Sequence, residues 1–361
     1  MKKKIALIMT VCMLAVVPTG CGNNATETTN EDKKVSSEQK LEANAESDFT
    51  WYENEESDSI IPKGGIVISG YVGTDTEVVI PESINGKAVV AIDECAFSPY
   101  TKDEIEGTEY DEGYNFFNDI LGLDVGSDLG TSYLDEDIAV YMKDHEKKSR
   151  ITSVHIPDSI KCIGQYAFFF CDSLVEISTY GDSKDAIYVS HNTFECCSDL
   201  KVIDFPIGLN KNYSKFTLNE SDIFNYSSSI EEISFEGIGE CELPLQVLLE
   251  YANPKKIVIT GDVTSVKGGV YQYAGGMGIV CYTGNALKNC EIYIPDSVTE
   301  IELGLFINED SDYVEDMIND ETTDYSFEDV VTINPNITII TPAGSYAEEF
   351  AKEYGIPYKN E

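Results

Sequence analysis

The chain has 361 residues, with 65 acidic side chains against 24 Lys and Arg, for a formal net charge of −41. A field of that sign repels nucleic acid and anionic lipid headgroups and favours cationic partners or divalent ions. The apolar share, 42 %, is ample for a buried core.

Residues 1–20 read as a secretory signal. Lys2, Lys3 and Lys4 form a basic start, and Ile5 to Val17 form an apolar stretch too short to span a bilayer comfortably. Gly20 before Cys21 resembles the lipobox of bacterial lipoproteins, which implies acylation of Cys21 and attachment to the outer side of the cell membrane. The other reading is an ordinary signal peptide cut near Gly20 and a secreted product, with Cys21 a spare thiol. Residues 21–50 hold mostly Asn, Thr, Glu, Ser and Lys, and such a stretch buries too little to order itself. They read as a disordered tether with a reach of roughly 30 Å.

The remainder, 51–361, is expected to be one solenoid with an N-terminal cap at 66–80. Its organising stretch repeats: Ile151-x-x-Val154-x-Ile156 returns as Leu174-x-x-Ile177-x-Thr179, Leu200-x-x-Ile203-x-Phe205 and Ile230-x-x-Ile233-x-Phe235. Six residues before the later three starts stand Phe168, Phe194 and Phe224; three before stand Cys171, Cys197 and Ser227. Self-similarity at about 20–50 residues marks stacked coils, none of which buries enough alone. Alternation within Val154-His155-Ile156 predicts a short strand with one face buried, and Pro157 ends it.

The run from Val154 through Pro157, Ile163-Gly164, Ala167-Phe168, Cys171, Leu174 and Ile177 resembles the BspA-like leucine-rich repeats of bacterial surface proteins. Val79-Ile80-Pro81 with Ala96-Phe97, and Ile292-Tyr293-Ile294-Pro295 with Phe306, repeat it. The resemblance implies a β-rich leucine-rich-repeat solenoid (α+β): short parallel strands on one face, irregular returns and a C-terminal capping helix. It covers roughly 66–358 with gaps, and 236–288 match it poorly apart from Ile257-Val258-Ile259.

Two acidic inserts interrupt the coils. Residues 98–149 carry 14 acids against four bases, with enough apolar residues to fold in part on the solenoid and a helix expected near 134–146. Residues 307–329 carry ten acids and no base. Gly275-Gly276-Met277-Gly278 suits a tight hairpin between Val270–Tyr273 and Ile279–Tyr282 better than a nucleotide loop. At 343–358, Ser345 and Glu348 form a capping box. Ala347, Phe350, Ala351 and Tyr354 make one apolar face, and Gly355 stops the helix. The segment also resembles the closing segment of the same family.

Signals for chemistry are sparse. His145, His155 and His191 fit no zinc spacing, and the chain lacks a Gly-x-Ser-x-Gly elbow and a phosphate loop. No catalytic, cofactor-binding or metal residues are assigned. The acid clusters lack an Asp-x-Asp-x-Asp-Gly calcium loop and read as solvated surface, with calcium binding the other reading. Excluding Cys12 and Cys21 from the ten cysteines, the rest read as mostly free buried thiols. Cys281 and Cys290 are the first pair to suspect if a bridge exists, and Cys196-Cys197 would be strained if bonded.

The alternation leaves two outward columns as the candidate binding face: Ser153, Glu176, Val202 and Glu232, then His155, Ser178, Asp204 and Ser234, continued by Lys256, Val258 and Tyr293. A polar, partly acidic face fits a basic or hydroxyl-rich extracellular protein or glycan. The expectation is therefore a monomeric, non-catalytic protein for binding or adhesion, lipid-anchored at Cys21, with no cofactor and no nucleic-acid partner. The competing reading is a polysaccharide-binding module or carbohydrate-active enzyme at the cell surface.

Overall fold

The computed structural model describes residues 41–56, 60–106, 147–181, 183, 185–209, 223–224, 227–245, 252–268, 270–272, 279–281, 287, 289–308 and 332–361. An 11-stranded sheet runs along the chain. Its strands, each parallel to the next, are Glu77–Val79, Ser153–Pro157, Glu176–Tyr180, Val202–Asp204, Glu232–Pro244, Lys256–Lys267, Cys290–Tyr293, Ile337–Thr341 and Tyr358–Asn360. Two short strands join the two longest: Ile207–Leu209 pairs with Phe235–Gly237, and Glu300–Ile301 pairs with Ser265–Val266 near the end of its partner. The repeat sets the register: Val154 lies opposite Ile177 and Ile177 opposite Ile203, then Ile233, Ile257, Ile292 and Ile339 follow one another. All seven are buried. β-branched side chains suit this packed, pleated surface.

The returns are more regular than expected. A second, 6-stranded sheet holds Phe49–Glu53, Ile66–Tyr71, Lys87–Ile92, Cys162–Ile163 and Tyr188–Val189, with Ser83–Ile84 paired to Lys87–Ile92. Strands of two residues have no alternation to read, so the pattern in the sequence missed them. The two sheets enclose a single apolar core.

A stack of rings runs through that core. Phe97 and Phe168 lie 5.0 Å apart, Phe168 and Phe194 5.4 Å, Phe194 and Phe224 5.9 Å, all near-parallel. Beside it runs a hydrogen-bond ladder at the Cys/Cys/Ser position. The Cys171 thiol donates to the Phe97 carbonyl at 3.3 Å, and the Cys197 thiol to the Phe168 carbonyl at 3.0 Å. The Ser227 hydroxyl donates to the Phe194 carbonyl and accepts from the Cys197 amide at 3.0 Å. Each coil's small donor therefore serves the ring-bearing residue of the coil before, which is why thiol and hydroxyl interchange there. Cys196, Cys197 and Cys290 are buried free thiols, and burial pushes Cys171 and Cys290 up to about 12. No Cys281–Cys290 bridge forms, because Cys290 is free.

The turn before Phe97, Phe168 and Phe194 is left-handed at a non-glycine residue. Cys95, Tyr166 and Asn192, two before the Phe, have φ of 56°, 56° and 55°. Such backbone costs energy. Coil-to-coil bonds hold it: Phe97 N to Ala167 O at 2.8 Å, Phe168 N to Thr193 O and Phe194 N to Ile223 O, both at 3.0 Å. Phe170 and Cys196, two after, are also left-handed. They turn outward into a satellite cluster with Tyr100, Ile105 and Phe169. Helix α1, Lys102–Glu106, closes that cluster at the start of the first insert, with Lys147 paired to Glu104 and lying 5.2 Å over the Tyr100 ring. The helix expected near 134–146 falls outside the described residues.

Both ends differ in detail from expectation. The N-terminal cap starts well before residue 66: Phe49–Glu53 pairs antiparallel with Ile66–Tyr71, and Phe49 is buried. Asn44 bonds Val79 through both its amide and its side-chain oxygen, at 2.9 and 2.7 Å. The tether placed at 21–50 therefore gives way to ordered chain by residue 44, since these groups cover the edge of the first sheet. Residues 21–40 lie outside the described part. At the other end, helix α2, Tyr346–Tyr354, has Ser345 as N-cap, accepting from the Glu348 amide at 3.1 Å, and Gly355 in the left-handed region. Glu348 reaches back to the Gly344 amide rather than to that of Ser345. Ala347, Phe350 and Ala351 face the core, whereas Tyr354 is exposed and packs on Phe350. The second insert leaves from a short antiparallel pair, Ile307–Asn308 with Thr332–Ile333. The glycine-rich hairpin forms between Val270–Gln272 and Ile279–Cys281.

Candidate binding face

The first sheet turns one side outward, and pairing aligns its residues into two files. The first file holds Glu77, Ser153, Glu176, Val202, Glu232, Lys256 and Glu291. The second holds His155, Ser178 and Asp204, followed along the sheet by Ser234, Val258 and Tyr293 and then Ile340 and Lys359. Every residue of the candidate face falls in one of these files, and Glu291 and Lys359 join them. Glu291 precedes Ile292 as Glu232 precedes Ile233, so extending the first file by one coil would have found it.

The files are not uniformly exposed. Val202 is 39 % exposed, while Ser178 is 6 % exposed and buried, against expectation. His155 covers it: the imidazole Nδ1 and the Ser178 hydroxyl lie 2.8 Å apart. The Ser153 hydroxyl is also buried and has no hydrogen-bond partner. Neither serine offers its oxygen to a ligand. Order along the file also rules against a hydrolytic triad, because Ser178 stands between His155 and Asp204, whereas a triad needs the histidine between acid and nucleophile.

Charge divides the face in two. Toward the C-terminal end the acids are compensated: Lys256 meets Glu232 at 2.7 Å and Lys359 meets Glu291 at 2.7 Å. The Lys256 ammonium also lies 5.2 Å over the Tyr293 ring, and the Glu291 carboxylate holds the Lys359 ammonium above its usual range. Exposed pairs of this kind add little stability; their effect here is to neutralise. Toward the N-terminal end stand Glu77, Glu176 and Asp204, and among the described residues Glu176 has no ion-pair partner. The uncompensated negative charge among the described residues of the face thus includes Glu176. Cys21 lies outside the described residues. Among the described residues no cluster of His, Cys, Asp and Glu is arranged to hold a metal ion.

A two-sheet stack with in-register coils, a ring stack and an internal donor ladder is a leucine-rich-repeat solenoid. Residues 142–275 match the family model for the BspA type leucine rich repeat region, in six copies. The match runs across 236–275, where the long strands Glu232–Pro244 and Lys256–Lys267 disguise the spacing. The model describes a repeat scaffold and indicates no enzymatic family. No curated protein matches the chain. Among solved structures, a leucine rich repeat protein of T. pallidum is 15 % identical, with a TM-score of 0.29 over 61 % of this chain and 86 % of its own. A leucine rich cell surface protein of Faecalibacterium prausnitzii is 14 % identical, TM-score 0.33, with 73 % of each chain covered. A leucine-rich repeat protein from Bacteroides capillosus is 20 % identical, TM-score 0.27, covering 48 % of this chain and 88 % of that one.

Proposed function

We propose that this protein is a non-catalytic binding protein of the bacterial cell surface, anchored through an acylated Cys21. In this reading it recognises an extracellular protein or glycan with the outward face of its first sheet. One observation carries it: the two outward files run in register across consecutive coils, so one extended surface is built from many short strands, the surface such solenoids use for binding. Its acidic half, around Glu176, fits a partner that presents cations. Contact should weaken as salt shortens the Debye length.

The test has two stages. The full chain is used to capture host matrix proteins and cell-wall glycans, and Glu176, Asp204 and Glu232 are then changed together to Lys. Loss of capture with folding intact supports the sheet face. Capture that survives this change, but not deletion of residues 107–146, places the site on the first insert; α1 and Lys147 are spared because they belong to the satellite cluster. For the anchor, mass spectrometry of the membrane fraction should find lipid on Cys21. Release of Cys21→Ser at the wild-type rate would instead support plain secretion.

A further inference from the structure

Away from the outward files, where the chain passes from the first sheet toward the second, a cleft of about 380 Å³ opens between coils. It draws on four separate parts of the chain. Ile60 precedes the strand Ile66–Tyr71; Lys161 follows Ser153–Pro157; Asp185 and Tyr188 follow Glu176–Tyr180; Glu236 and Ile238 lie within Glu232–Pro244. Gly208 keeps the gap open. It pairs with Glu236 in the sheet, and a Cβ there would come within 3.0 Å of Ile238 Cδ1 and 3.5 Å of Ala186 Cβ.

The lining has apolar walls and an unbalanced charge. Lys161 reaches Asp185 at 3.2 Å and the Asp158 carbonyl at 3.5 Å. Among the described residues that leaves one ammonium for two carboxylates, and Glu236 has no ion-pair partner there. Burial raises the Glu236 carboxyl above its usual range, and the charge of Asp185 raises it further. A cation entering beside Glu236 would relieve that repulsion. The side chains of Ile60 and Ile238 are apolar, so they suit a methylene stem, and Tyr188 supplies a ring beside it.

We propose that this cleft takes the side chain of a lysine from a partner polypeptide, its ammonium on Glu236 and its stem between Ile60 and Ile238. The proposal rests on the reading of the chain as a binding scaffold, but it uses a different site. Variants of Glu176 and Asp204 should leave it unaffected, so either site can fail without the other.

The probe is a blocked pentapeptide, Gly-Gly-Lys-Gly-Gly, titrated into the full chain carrying labelled isoleucine methyls. Ile60 and Ile238 methyl resonances should shift saturably. Glu236→Gln should weaken binding by about tenfold, as loss of a charge-assisted hydrogen bond implies. Gly208→Val, which fills the gap without changing charge, should abolish it. Glu353→Gln, an equal charge change on α2, should leave it unchanged. A peptide with diaminopropionic acid in place of lysine carries the same charge on a stem three methylenes shorter, and should bind several-fold more weakly. The proposal fails if neither methyl shifts, if Glu353→Gln weakens binding as much as Glu236→Gln, or if the short-stemmed peptide binds equally well.

Discussion

Replacing Phe194 by alanine removes an inner ring of the four-ring stack. Phe194 is fully buried, with Phe168 5.4 Å away on one side and Phe224 5.9 Å on the other. Phe→Ala in a core costs about 3–5 kcal/mol. The upper half of that range applies, because the flanking rings are fixed by coil-to-coil backbone bonds and cannot close the gap. With about 4 kcal/mol lost and a urea slope of about 3 kcal/mol/M, the unfolding midpoint should fall by roughly 1.3 M. The assay is urea unfolding of the full chain followed by far-UV circular dichroism. Phe194→Leu, which keeps most of the volume, should cost well under half as much. Because stacked coils are stabilised by their neighbours, the thiols of Cys171 and Cys197 should become reactive in the same transition. An unchanged midpoint in Phe194→Ala would refute the register described here.

Three further outcomes follow from the same geometry. In the donor ladder, Cys197→Ser keeps a donor for the Phe168 carbonyl and Cys197→Val does not, so the valine variant should be less stable by about 1 kcal/mol; the reverse order in urea would contradict the ladder. Cys171 and Cys290, with thiols pushed up to about 12 by burial, should resist a thiol reagent at pH 8 until the chain unfolds. Most cysteines should then titrate without reductant, and fewer than about two free thiols would point to a disulfide framework. Ser345→Ala removes the N-cap of α2 and should cost about 1 kcal/mol; a midpoint equal to wild type would mean that α2 does not share in the cooperative unit.

Much of the fold was legible in the sequence because its main signals are local. Val154, Ile177, Ile203 and Ile233 announce their strands by alternation, and the Phe and Cys/Ser offsets give the stacking. Ser345 and Gly355 mark the ends of α2 through chemistry specific to helix termini. What was not legible depends on partners distant in the chain. Phe49 looks like one apolar residue in a polar run until Ile66–Tyr71 pairs beside it. Ser178 lies on the outward side of its strand, and only His155 from the preceding coil buries it. Tyr166, Phe170 and Cys196 carry no mark of left-handed backbone, since nothing in their type favours it. The face itself followed from alternation, but its charge balance did not: Glu232 counts as an exposed acid until Lys256 is set beside it. The cleft at Glu236 draws on residues from Ile60 to Ile238, and no local window could join them.

The claim that the outward files of the first sheet form the binding surface is tested most directly by carboxyl footprinting. The full chain is labelled at its acids with a carbodiimide and an amine, alone and with a captured partner, and each site is read by mass spectrometry. Glu176 and Asp204 should lose reactivity on binding while the acids of residues 98–149 and 307–329 keep theirs. Protection confined to those inserts, with Glu176 and Asp204 labelled as in the free chain, would contradict it.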